Sequence, residues 1–249
     1  MDIELLESQA IVGDVEATLD LIMALSKASR FDEALEWAEK LAKAGNPRGK
    51  FRAMLLHGLF MDRAQDQLEW DTLHHHASAA FAHAVALTAG RYDGEFEMVE
   101  ELKKSVAGHL VNGAYYFAVS AYFMDDANTD LALMGIRDYN SPRFRMIRQL
   151  LLLDKGNDLW DPDDVVSCMT DRAYRAAEKD TAEELVYAYA ALGASVHARH
   201  ARNDLNRAVA LLDLGIAALT DADALDILRE ERALYHKRLF GGWKFTGEN

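Results

Sequence analysis

Ala44-Gly45-Asn46-Pro47-Arg48-Gly49-Lys50-Phe51 recurs 45 residues later as Ala89-Gly90-Arg91-Tyr92-Asp93-Gly94-Glu95-Phe96. Both stretches read A-G-x-x-x-G-x-F. A weaker copy, Gly13-Asp14-Val15-Glu16-Ala17, lies upstream, with Ala17 in the slot that Gly49 and Gly94 fill; Gly13 and Gly45 are 32 residues apart. Spacings of this size belong to helical repeat arrays, in which each unit is one helix pair.

The residues around the phrase fit that reading. Gly45 is placed to end one helix as a left-handed cap, and Pro47 to start the next where a missing N–H costs nothing. Before it, Ala34, Ala38, Leu41 and Ala42 share a face whose small side chains let two helices approach closely. Ser29-Arg30-Phe31-Asp32 is a tight connection. Upstream, Val15, Leu19, Ile22 and Met23 recur at spacings of 3–4, as one buried stripe does, and Asp14 is placed to cap their helix.

Composition agrees. Half of the 249 residues are hydrophobic, and only 3 prolines and 15 glycines interrupt them. That predicts an all-α chain of about a dozen helices, with no convincing strand. The expected helices include 47–63, 66–88, 94–105, 109–123, 181–201, 204–219 and 221–240, the last stopped by Gly241-Gly242. No low-complexity linker interrupts the chain, so it reads as one domain, 1–249. Tyr139-Asn140-Ser141-Pro142 marks sub-blocks 1–140 and 141–249.

The N-terminal third resembles Sel1-like repeats, relatives of tetratricopeptide repeats. Ala10, Gly13, Asp14, Ala17 and Leu21 match the first half of the pattern. Ala34, Trp37, Lys40, Ala42 and Gly45 match the second, and Gly45, Asn46, Gly49, Ala53 and Gly58 begin the next unit. A looser echo follows at Ala188–Gly193 and Arg207–Leu212. The resemblance implies a right-handed α-solenoid of antiparallel helix pairs whose concave face receives a peptide or protein segment. It also implies that the helix carrying Arg52 and His57 faces that concave side, making both partner-contact residues.

Charge narrows the partners. Against 27 basic residues stand 41 acidic ones, a formal net charge of −14. Such a surface repels phosphate backbones, and no Lys/Arg-rich run offers a nucleic-acid patch. The acidic N-terminus lacks the basic start and apolar core of a signal peptide, and no window reads as a membrane span. Together with a single cysteine, this predicts a cytoplasmic protein.

Chemistry-bearing residues are few. Cys168 sits in no nucleophile motif and reads as a buried thiol. Asp158, Asp161, Asp163 and Asp164 lack the calcium-loop pattern and read as helix capping. His74-His75-His76 with His83, and His197 with His200, invite a metal reading. Three consecutive histidines point around a helix and cannot all face one ion. No cysteine pair or acidic third ligand is evident beside them, so no metal or cofactor is expected. Tyr115, Tyr116, Phe117, Tyr122 and Phe123 read as core, whereas Tyr187 and Tyr189 cannot share a face.

Arg137, Arg143, Arg145 and Arg148 concentrate positive charge in an acidic chain. Arg145 and Arg148 share a face and are candidate clamps for a partner's carboxylate or phosphate. The competing reading is local neutralisation of neighbouring acids. The expectation is therefore a non-enzymatic adaptor. The alternatives are an all-α small-molecule sensor or enzyme with an inter-helix pocket, and a homodimeric scaffold.

Overall fold

The computed structural model describes residues 2–93, 96–124, 129–157, 159–173, 180–237 and 242–247. Gly94, Glu95, residues 125–128, Asp158, Phe240 and Gly241 lie outside them. The chain is all-α. Its helices are α1 (Ile3–Ile11), α2 (Val15–Lys27), α3 (Phe31–Lys43), α4 (Pro47–Gln67), α5 (Trp70–Thr88), α6 (Glu100–Phe123), α7 (Thr129–Ile136), α8 (Pro142–Asp154), α9 (Pro162–Ala173), α10 (Thr181–Arg202), α11 (Leu205–Ala218) and α12 (Ala222–Ala233). No described helix is long and apolar enough to cross a membrane.

Two expectations about elements change. The helices expected at 94–105 and 109–123 are joined through Gly108 into one, α6, which starts only at Glu100; residues 96–99 are not helical and Gly94 and Glu95 lie outside the described residues. The last helix stops at Ala233 rather than 240. An antiparallel pair follows, β1 (Tyr235–Lys237) with β2 (Trp243–Phe245), in which Tyr235 faces Phe245. Arginines hold this hairpin: Arg199 of α10 lies 3.7 Å from the Phe245 ring centroid and Arg232 of α12 lies 4.4 Å from that of Trp243. Such cation–π contacts compensate for a strand pair too short to be stable alone.

The chain divides into two compact units, 1–120 and 121–249, with the division inside α6 rather than at Tyr139–Pro142. In the first unit, α1 packs on α2, α2 on α3, α3 on α4 and α4 on α5. Ala34, Ala38 and Ala42 are buried at the α3 contact surface beside Leu21, Ile22 and Leu25 of α2 and Ala53 and Leu56 of α4. Met54 belongs instead to a second core with Ala84 and Leu87 of α5 and Val106 of α6, so α4 is buried on two sides.

The repeated phrase sets up these contacts. The Asn46 side chain accepts from the Gly49 amide at 3.0 Å and caps α4. Gly45 has φ +85°, and the Asp93 amide of the second copy donates to its carbonyl at 2.9 Å. At Gly49 a Cβ would stand 2.8 Å from α3 backbone, so α3 and α4 meet where only glycine fits.

The second unit is gathered on α10, which packs against α8, α9, α11 and α12. Its interior is partly polar. Arg172, 6% exposed, pairs with Glu184, 2% exposed, at 3.1 Å and with Glu183 at 2.6 Å. Glu184 also accepts from the Thr220 and Asp221 amides at 2.7 and 2.5 Å, at the start of α12. Burial opposes ionisation of Glu184, but these hydrogen bonds and Arg172 hold its carboxyl below the usual range.

Candidate functional site

The first unit carries a groove of about 750 Å³ between α3 and α5, both of which pack on α4. From α3 it takes Asp32, Leu35, Glu36, Glu39, Lys40 and Lys43, a stripe spaced three to four residues apart along one side. From α5 it takes His75, Ala79, Ala82 and His83, and from α4 it takes His57. Along α3 the stripe changes sign, from Asp32 and Glu36 to Lys40 and Lys43, in the order that also suits the helix dipole.

Histidines and one carboxylate meet inside this groove. Glu39 Oε1 lies 2.9 Å from His57 Nε2 and 2.7 Å from His83 Nε2. These two hydrogen bonds hold the Glu39 carboxyl far below the usual range despite its partial burial. On its other side, His57 Nδ1 lies 2.8 Å from His76 Nδ1. His76 stacks on Phe60 with centroids 4.9 Å apart. Burial, with His57 and His75 nearby, pushes the His76 pKa down to about 4, so its ring is neutral at pH 7.

The consecutive histidines diverge. His74 turns to α6, its Nδ1 lying 3.1 Å from Ser120 Oγ, whereas His75 lines the groove and His76 meets His57. His197 and His200 also separate. His197 packs edge-on to Trp160, and His200 Nε2 accepts from Arg199 Nη2 at 3.1 Å.

The four residues read as partner contacts fall in different surroundings. His57 is 3% exposed and central to the cluster. Arg52, on the same helix, turns to α2, with Nη2 3.5 Å from Met23 Sδ. Arg145 and Arg148 belong to the second unit. Arg145 pairs with Asp164 at 2.9 Å and donates to Ser167 Oγ and Cys168 Sγ at 3.0 and 3.2 Å. Arg148 donates to the Ile136, Arg137 and Tyr139 carbonyls, at 3.0, 3.1 and 2.6 Å, where α7 ends. Both guanidinium groups are thus held by the fold itself, and Arg145 neutralises a neighbouring acid.

The remaining candidates also find structural partners. Cys168 is fully buried, and burial pushes its thiol pKa up although Arg145 opposes the shift. Asp161 caps α9 by accepting from the Asp163 amide at 2.9 Å. Asp163 pairs with Arg207, and Asp164 with Arg145. Tyr187 is buried over Arg172, whereas Tyr189 is half-buried against Tyr122 and Phe123.

Glu39 is the residue that sequence reasoning missed. It precedes His57 by 18 residues and His83 by 44, on a separate helix, so no local spacing joins the three. The available signal was the helix order: in a serial stack the third and fifth helices flank the fourth. Compared with protein-family models, curated proteins and solved structures, the chain gives no match.

Proposed function

We propose that this chain is a non-enzymatic interaction module of Sel1/tetratricopeptide type, whose first unit holds a peptide or protein segment in the groove between α3 and α5. The observation that carries this reading is the groove itself, about 750 Å³ between two helices that both rest on α4. Helix-by-helix packing along residues 1–88 is the arrangement that generates such grooves in helical arrays. Preformed walls reduce the ordering cost of binding.

The wall chemistry specifies the occupant. Leu35, Ala79 and Ala82 offer apolar contact between a negative end, Asp32 and Glu36, and a positive end, Lys40 and Lys43. A segment with apolar anchors, a basic end and an acidic end complements this order. Charge order of this kind fixes direction and speeds encounter more than it raises affinity.

Peptide display against the full chain tests the reading. Selected segments should share the basic-to-acidic order. Ala82→Arg fills the groove from an exposed position and should weaken them at least about tenfold. Lys40→Glu/Lys43→Glu should change which segments are selected. Binding that ignores both variants contradicts the groove.

A further inference from the structure

We propose that Glu39, His57 and His83 form a binding site for a divalent transition-metal ion of the zinc class. The three side chains come from three successive helices, α3, α4 and α5, and their ligand atoms all lie within 4.8 Å of one another. Both imidazole Nε2 atoms converge on the same carboxylate oxygen, at 2.9 and 2.7 Å. Ligands arranged tetrahedrally about 2.1 Å from an ion stand about 3.4 Å apart, so on admitting one the two Glu39 contacts would open by about 0.5 and about 0.7 Å.

The donor set selects the ion. Two imidazole nitrogens and one carboxylate suit zinc, cobalt or nickel, whereas calcium and magnesium prefer all-oxygen sets. An anionic Glu39 brings one negative charge to the ion, with two neutral imidazoles completing the set. Three protein ligands leave a fourth position for water or a ligand atom, and the three residues line the open groove.

The surroundings supply the outer support such a site needs. A metal-ligating histidine usually donates its other ring N–H to a fixed acceptor. With Nε2 on the ion, the His57 proton sits on Nδ1 and points at His76 Nδ1, 2.8 Å away. Stacking on Phe60, with centroids 4.9 Å apart, fixes the ring that presents this nitrogen. His57 also belongs to a second grouping, with His75 and His76. That grouping would use the same His57 ring but leave Glu39 and His83 out.

The inference does not depend on the groove holding a segment. Its test is titration of the chelator-treated full chain with Co²⁺, read by visible absorption, and with Zn²⁺, read by calorimetry. The expected result is one ion per chain, with the cobalt spectrum of a four-coordinate N/O site. Glu39→Gln and His83→Ala should each weaken binding roughly tenfold or more, and His76→Phe should weaken it about 10–100-fold through His57. Circular dichroism confirms that each variant is folded; Glu39→Gln is nearly isosteric, and His83 lies at the groove. His75→Ala and His197→Ala/His200→Ala should bind as the parent does. The proposal is overturned if the parent chain shows no saturable binding. It is overturned equally if Glu39→Gln and His83→Ala both bind unchanged while His75→Ala does not.

Discussion

Helices α1 to α5 meet one another in chain order, whereas α8, α9, α11 and α12 all meet α10. The two units also treat buried polarity differently. In the second, Glu184 has four donors, two of them the amides that open α12, and its Arg172 partner is almost fully enclosed. In the first, Glu39 is approached by two histidines and borders an open groove. A hub encloses its charges and uses them to fix helix positions. In the first unit a space remains between α3 and α5, and Glu39, His57 and His83 border it.

The largest expected effect comes from opening the enclosed network. Arg172→Met leaves Glu183 and Glu184 buried without their cation and should cost about 3–5 kcal/mol in urea unfolding. A cost below 1 kcal/mol would mean that the network is incidental to the second unit. Gly49→Ala tests the stack instead. Its Cβ meets α3 backbone at 2.8 Å, neither helix can yield locally, and a loss of about 2–3 kcal/mol is expected.

Acid acts next, on the histidine cluster of the first unit. The folded-state pKa of His76 lies at about 4, below its ordinary value of 6.5, so the unfolded chain binds more protons between those values. His76 therefore favours the folded state fully above pH 6.5 and loses that contribution as pH falls towards 4. With allowance for partial exposure, the loss is about 1–2 kcal/mol, and His76→Phe should flatten the profile in that window. Glu39 acts lower. Its depressed carboxyl supports the fold above the ordinary glutamate range of about 4.3, and that support is lost as pH falls through the folded-state pKa. The smallest effect concerns the connections. Ser29 in the first unit and Asn203 in the second both have positive φ, at 60° and 51°. Asparagine tolerates that region and serine does not, so Ser29→Gly should raise stability by about 0.5–1 kcal/mol and Asn203→Gly by less.

How legible each unit was follows from the same contrast. The Gly45 cap, the Pro47 start, the Asp14 cap and the alanine face of α3 were readable because each depends on neighbours within one or two turns. Consecutive helices in a stack carry that local information forward. Two errors arose where nothing local decides the outcome. Gly108 is compatible with either a break or a continuous α6, and Phe245 pairs with Tyr235 where Arg199, from α10, receives its ring. The site was half legible. His57 was singled out, and His76 and His83 were among the histidines that invited a metal reading. Glu39 was not, because only the packing of α3 and α5 on α4 brings it to them. The charge cluster of Arg145 and Arg148 was legible, but not that Asp164 and three carbonyls hold the two guanidinium groups, because those partners come from other elements.

Hydrogen–deuterium exchange of the full chain, with and without a display-selected segment, shows whether the groove between α3 and α5 is where that segment binds. Slowed exchange is expected in peptides from Phe31–Lys43 and Trp70–Thr88, with Pro162–Ala173 and Thr181–Arg202 unchanged. Protection confined to the second unit would contradict it.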